Sequence, residues 1–514
     1  MTTQQDQPPF TVVALDKEKE YTDVEYQDDS TSTAPDNLLD NSTVNDNKPK
    51  RPTLSEAFPR LFVLPHLLSK NAWLLLVATS VVMIIYTWLY LGSLWSPLTR
   101  VKNVEIVFYN ADKGFDFSTT PPQLVSLFQG IAHNSSLGTM VESQIMDPAG
   151  ALNHVVKWVD KTQEEGWDYN SLVDYVDNGN TWGLLYIPSN FSNNFLSYAP
   201  STIAGPATAA SAKPVVMEYV FDQGRNYATH SIVEKYVSKS MEALSRGFEN
   251  GLLTSPANQT LLQVMHPTFW AQSIRFYETV MHPVLVYGQN FATYVVFIVL
   301  WIGSMLAVYS ICKFLPTTIE TVGVLTLGPE EPTPVGGKKP LPKFPAIRIV
   351  LARHTVSMMF SLLHTIFIWM VPQVLKGHQM AANFSAGYAF AFIWFTGWSF
   401  ISMQFLLAHL LGVDGFQIPA TMLMILMFTS SAGVLDWIIM PGFFQVGKAF
   451  PFAYAVRGLR TIYFGSLENK MWINWLVIFA WIAIPGFITM FMARSEIRKR
   501  RETMRRTATV PTEV

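Results

Sequence analysis

The chain has 514 residues, 49% hydrophobic and only 14% charged, with a mean hydropathy of +0.21; soluble proteins carry about 25% charged residues, so an ordinary soluble enzyme and a wholly disordered chain are both excluded. Lys and Arg number 36 against 38 Asp and Glu, a net charge of −2, which implies no nucleic-acid partner. The single cysteine, Cys312, excludes an intramolecular disulfide and any metal site built on several cysteines.

Residues 1–57 hold 12 acidic and 5 basic side chains among Asp, Thr, Ser, Asn and Pro, a composition that predicts a disordered cytoplasmic tail, phosphorylatable or inert. The charge-free run 71–99 follows, and a transmembrane helix is expected at 72–94. It starts behind a long polar tail and lacks a small-residue cleavage site, so it reads as a retained signal anchor.

Residues 95–288 read as an extracytoplasmic α+β domain. Val104, Ile106 and Phe108 alternate along one strand, and 181–191 and 213–224 read as two more. Ile232, Tyr236, Val237, Met241, Leu244 and Phe248 recur at helical spacing over 227–248, and helix is also expected over 149–163. Two charge-free runs, 117–141 and 178–212, are too rich in Pro, Gly, Asn and hydroxyls to span. Asn134, Asn190 and Asn258 each open a glycan acceptor triplet. Asp112 and Asp116 flank Gly114, which reads as a strand-end turn in preference to an ion loop.

Five more charge-free runs predict transmembrane helices at 290–312, 350–372, 384–410, 417–439 and 472–492. Basic residues cluster before the first span, in the Pro- and Gly-rich loop 313–348 and in the tail 493–514, so all three are expected in the cytoplasm. Six spans satisfy that. The fold class expected is thus a polytopic α-helical membrane protein, one span plus five, with the α+β domain between the first and second. Lys338 and Lys339 follow Gly336 and Gly337, but the phosphate-loop spacing is absent and Pro340 follows.

No catalytic constellation, metal site or cofactor site is legible, and no enzyme activity is expected. The aromatic-rich stretch 440–470 has apolar pieces too short to cross, which predicts a re-entrant outer hairpin of two short helices broken near Gly447–Pro451. Tyr454, Arg457 and Thr461 recur along its second helix, and Arg457 or Arg460 is expected to reach Asp436 or a lipid phosphate. Arg353 near the start of the third span and Gln404 inside the fourth complete the candidate lipid or substrate contacts, with Arg353 also readable as snorkelling to the interface.

The pieces VEIVFYNADKGF (104–115), GLLYIPSNFSNNF (183–195), DQGRNY (222–227) and PFAYAVRGLRTIYFG (451–465) resemble the fungal nitrosoguanidine-resistance family, whose core is a fungal domain of unknown function. That domain is distantly similar to ABC-2-type permeases and phage-infection-type proteins. Pro451, Tyr454, Leu459 and Arg460 match the stretch before the final span of such permeases. The resemblance implies an ABC-2-type permease-like fold, drug resistance, a plasma or Golgi-type membrane, a homodimer and a separate cytoplasmic ATPase. The function expected is export, translocation or organisation of lipids or amphipathic xenobiotics. The alternative is a scaffold that binds lipids or other membrane proteins without transport.

Overall fold

The structure is a computed structural model and describes residues 70–119, 125, 136–150, 152–203, 215–254, 274–313, 345–374 and 379–508. The chain falls into two compact units, Met1–Trp73 and Leu74–Val514. The fold described is that of the second; the tail at 1–57 and most of the loop at 313–348 lie outside the described residues.

Helix α1 (Lys70–Ser93) ends where Ser96 adopts a left-handed φ of 50° and Pro97 opens a 3-10 turn, Pro97–Asn103. A five-stranded sheet follows, built from β1 (Glu105–Asn110), β2 (Lys157–Asp160), β3 (Gly183–Ile187), β4 (Val215–Asp222) and β5 (Ile274–Met281) in the order β2-β1-β3-β4-β5. β1 runs parallel to β2 and β3, β4 is antiparallel to β3, and β5 is parallel to β4. Successive side chains of a strand alternate between faces. Ile106 and Phe108 therefore join one apolar layer with α2 (Leu137–Met146), α4 (Phe191–Ile203) and α5 (Tyr227–Thr254). Val107 points the other way and packs with Leu184, Val220 and α3 (Tyr169–Asp177). Local chemistry sets the helix starts: Asp168 and Ser171 form a capping box on α3, and the Ser136 hydroxyl accepts from the Thr139 N–H at the head of α2.

The helix expected over 149–163 is instead a series of turns followed by β2. Pro148 and Gly150 prevent a regular start, and β-branched Val155, Val156 and Val159 favour extended backbone beside β1.

The apolar part is a bundle of α6 (Tyr287–Lys313), α7 (Pro345–Val374), α8 (Ala386–Leu411) and α11 (Met471–Ala508). α8 packs against the other three and buries half its length, from Ala389 to Ala408. Some of its polar groups bond within the helix and some to its neighbours: Thr396 donates to the Phe392 carbonyl, and Ser361 of α7 donates to the Trp394 carbonyl. Leu351, Met359 and Phe367 on α7 and Trp472, Phe487 and Phe491 on α11 are exposed, as on a surface that faces lipid.

Two expectations fail here. Among the described residues four helices are long and apolar enough to cross a membrane, at Tyr287–Cys312, Val350–Val371, Ala386–Leu411 and Glu468–Ser495, in place of six. The α+β region precedes all four and does not lie between the first and second. The N-terminal apolar run enters the count only as a bent pair, Ser80–Ser93 with Pro97–Asn103 at 47°, which raises the total to at most five. The run at 417–439 gives only α9 (Gln417–Thr429), 13 residues or about 20 Å against a hydrocarbon core of about 30 Å. Three consecutive hydroxyls, Thr429 to Ser431, turn back onto carbonyls of the last turn, and Ala432 then takes a left-handed φ of 57°. A permease-like bundle of one plus five spans is therefore not the fold. The chain is nevertheless a multi-pass membrane protein by its four apolar helices.

Candidate functional site

α10 (Pro451–Phe464) carries the centre of the site. Pro451 opens it, where a missing N–H costs nothing, and Gly465 closes it at φ 89°. Nearly every residue of α10 is buried, because it is wedged among α6, α8 and α11. Before it runs a 3-10 stretch, Gly442–Ala449. Gly447 lies so close to α9 that a Cβ there would stand 1.7 Å from the Ser430 carbonyl oxygen, so only glycine fits.

Between α10 and the sheet lies a cavity of about 380 Å³. Arg225, Lys448, Arg457, Arg460 and Lys470 line it, with Asp436 and Trp182. Arg225 follows β4, and although the residue is partly exposed its guanidinium is buried, 3.9 Å over the Trp182 ring, and donates to the Thr181 carbonyl at 2.8 Å. Arg460 is buried and donates to the Ala432 and Gly433 carbonyls at 3.0 and 2.6 Å and to the Arg225 carbonyl at 3.3 Å. Its Nε has no partner among the described residues. Arg457 donates from Nε to Asn474 at 2.8 Å and stacks on Tyr454, while its buried Nη2 has no partner among the described residues.

Lys448, exposed at the rim, reaches Gln445 at 3.3 Å; Lys470 donates to the Asn178 carbonyl at 2.7 Å. Ion pairs among the described residues include Lys157–Glu105, Lys161–Glu164, Arg246–Glu242 and His282–Asp177, and none of them involves these five cations.

Burial lowers the guanidinium of Arg460 to about 10 and also lowers those of Arg225 and Arg457, the last further depressed by the positive charge of Arg225. Behind Arg225, Asp222 is buried, accepts from the Ser466 hydroxyl and from the Arg225 N–H, and is pushed up to about 6, chiefly by burial. His282 stands beside it. Burial opposes its charge, but the hydrogen bond to Asp177 at 2.7 Å and the carboxylates of Asp222 and Glu468 outweigh that and raise it.

The structure thus brings Asp436, Arg457 and Arg460 to one cavity. Asp436 is not ion-paired with either arginine: its Oδ1 accepts from the Ile438 N–H and its own N–H donates to Thr229. Tyr454 sits just behind, its hydroxyl on the Lys448 carbonyl. Arg353 and Gln404 lie elsewhere in the bundle. Arg353 contacts His409, and Gln404 donates to the Trp301 carbonyl of α6 while its Oε1 has no partner among the described residues. Asn190 is exposed just before α4; Asn134 and Asn258 lie outside the described residues. Sequence reasoning missed Arg225, Trp182, Lys448 and Lys470 as members of the site. Arg225 lies in the DQGRNY piece, whose glycine and basic residue at the end of a strand were the available signal.

A second cavity, about 490 Å³, opens between α1, α6 and α9 and is lined almost wholly by apolar groups, among them Leu91, Ile298, Met424, Ile425 and Phe428.

The chain matches the family model described as "Protein of unknown function (DUF3533)" over residues 75–486, and so belongs to that family. No curated protein and no solved structure matches it.

Proposed function

We propose that this member of the DUF3533 family moves or organises lipids or amphipathic xenobiotics in a membrane of the cell surface or secretory pathway. The observation that carries the reading is the adjacency of two unlike cavities. Phe428 lines the apolar one and Ser431 the cationic one, three residues on along the same chain segment. An amphipathic molecule needs an apolar recess for its tail and fixed polar groups for its head, and ligand sites generally combine the two. The likeness of 104–115, 183–195 and 451–465 to nitrosoguanidine-resistance proteins supports a role in tolerance of such compounds. The basic residues Lys338, Lys339 and Lys343 between α6 and α7 favour that loop in the cytoplasm. On that reading the α+β region, which precedes α6, faces outside, and endoglycosidase treatment should shift the band of wild type but not of the Asn134→Gln/Asn190→Gln/Asn258→Gln variant.

The direct test is the purified full chain in liposomes carrying a fluorescent lipid whose outer-leaflet copies are quenched. Faster exchange than in protein-free liposomes is expected. Leu91→Trp, which fills the apolar cavity from an exposed position, should slow that exchange. Exchange no faster than in empty liposomes removes the transport reading and leaves that of a lipid-binding scaffold.

A further inference from the structure

We propose that the cavity between the sheet and α10 binds a phosphate ester, held by Arg457 and Lys448 with Arg225 and Arg460 behind them. The inference rests on reading this cavity as the seat of the ligand's polar end, and it names the chemistry of that end.

The first argument is charge. Five cations line the cavity against one carboxylate, Asp436. Counting Asp222 behind Arg225 still leaves five against two. None of the five is ion-paired among the described residues. Buried charges are ordinarily paired or coordinated, because removing an ion from water is costly. Three guanidinium groups gathered with so little compensation form a site whose counterion comes from outside the chain.

The second argument is the unused donors. Arg460 is 4% exposed and three of its contacts are spent on backbone carbonyls, yet its Nε has no partner. Arg457 is fixed through Nε to Asn474 and by its ring contact with Tyr454, which leaves Nη2 unpartnered. Unsatisfied buried N–H groups are rare and costly in a finished core, so they mark a missing acceptor. A planar guanidinium presents its N–H groups as a fork that matches two oxygens of one oxyanion.

The third argument selects phosphate over carboxylate. A carboxylate offers two oxygens and one charge. A phosphate monoester offers three terminal oxygens and about −1.5 to −2 charges near neutral pH, which suits several separated cations better. The cavity, about 380 Å³, has room for the phosphate and the alcohol portion of the ester.

The phosphate could arrive on a lipid headgroup or on a small soluble ester, and the test separates the two. The full chain is purified in detergent for calorimetric titration with glycerol 3-phosphate and inorganic phosphate, and in phosphatidylcholine nanodiscs with and without phosphatidic acid for thermal stabilisation. Binding to glycerol 3-phosphate in solution, with no stabilisation by phosphatidic acid, assigns a soluble ester, and stabilisation by phosphatidic acid alone assigns a headgroup; either supports the proposal. Arg457→Gln and Lys448→Gln should each weaken the response at least about tenfold, as loss of one partner of a charge-assisted bond does. Arg457→Gln should leave the ligand-free melting temperature close to that of wild type, because relieved repulsion offsets the lost bond to Asn474. A merely structural arginine would lower it. Lys102→Gln, on an exposed cation outside the cavity, should change neither.

No response to any phosphate-bearing probe overturns the inference. So does an undiminished response in the Arg457→Gln/Lys448→Gln double variant, or equal binding of acetate and glycerol 3-phosphate. These outcomes are independent of lipid exchange, so the proposed transport can fail while this site stands, and the reverse.

Discussion

Two regions of the molecule gather polar groups around charge, and they settle it differently. At the head of α2 and α4 the carboxylate of Asp112 is saturated. Its Oδ1 accepts from the N–H groups of Gly114 and Ser192, and its Oδ2 from the Ser136 and Ser192 hydroxyls and the Gly138 N–H. Every direction in which that carboxylate could accept is filled by the chain itself, which is how a polar cluster serves folding. The cavity beside α10 gathers more charge and leaves N–H groups of Arg457 and Arg460 without acceptors. A closed polar cluster fixes structure; an open one is built around something else.

The comparison breaks most sharply at Asp112. Asp112→Ala should strand five donors at once and destabilise the α+β region by about 2–4 kcal/mol. Thermal melts and faster amide exchange along β1 and α2 would register it, and a melt unchanged from wild type would show that the cluster is not structural. Arg460→Ala comes next. It frees three backbone carbonyls, including that of Ala432, and should cost about 1–3 kcal/mol, with Arg460→Lys recovering part. Since the Arg457 side chain donates to one amide oxygen, that of Asn474, and to no backbone carbonyl among its described contacts, Arg457→Ala should fall well short of that loss, and equal losses at the two positions would erase the division between structural and ligand-facing arginine.

A further effect is in pH. Asp222 holds its proton more tightly folded than unfolded, with its pKa raised from 3.8 to about 6. The folded state therefore binds more protons across that interval, and stability should fall as pH rises through it. His282, also raised above 6.5, contributes stability that is complete below that value and is lost as pH climbs through its folded pKa. The pair with Asp177 is partly exposed, at 26% and 44%, so its share is below about 1 kcal/mol. Asp222→Asn should flatten a denaturant-stability profile measured from pH 4 to 6, and a slope equal to that of wild type would remove Asp222 as its source.

How far the sequence foretold this varies with range. β1, β3 and β4 were legible because alternation is local, and α5 because its apolar residues recur every three or four positions. β2 was lost because it is only four residues long and lies at an edge. β5 was lost because it is an edge strand whose exposed Arg275 and Tyr277 blur the pattern. The 417–439 span misled because absence of charge measures transfer to lipid and says nothing of hydroxyls that bond back and end a helix at Thr429. Of the cavity, Arg457 and Arg460 announced themselves by spacing within one helix. Arg225 could not, since it meets Arg460 from 235 residues away.

One oxygen atom deserves its mechanical reading. The carbonyl of Ala432, turned by its left-handed backbone, accepts the side-chain amide of Asn226 at 3.0 Å and the guanidinium of Arg460 at 3.0 Å. Asn226 belongs to the sheet side and Arg460 to α10. Both lone pairs of a single atom are thus committed to opposite neighbours, like a rivet through two plates. Any displacement of α10 against the sheet pulls on both bonds together, so a push delivered to one plate is felt by the other without slack.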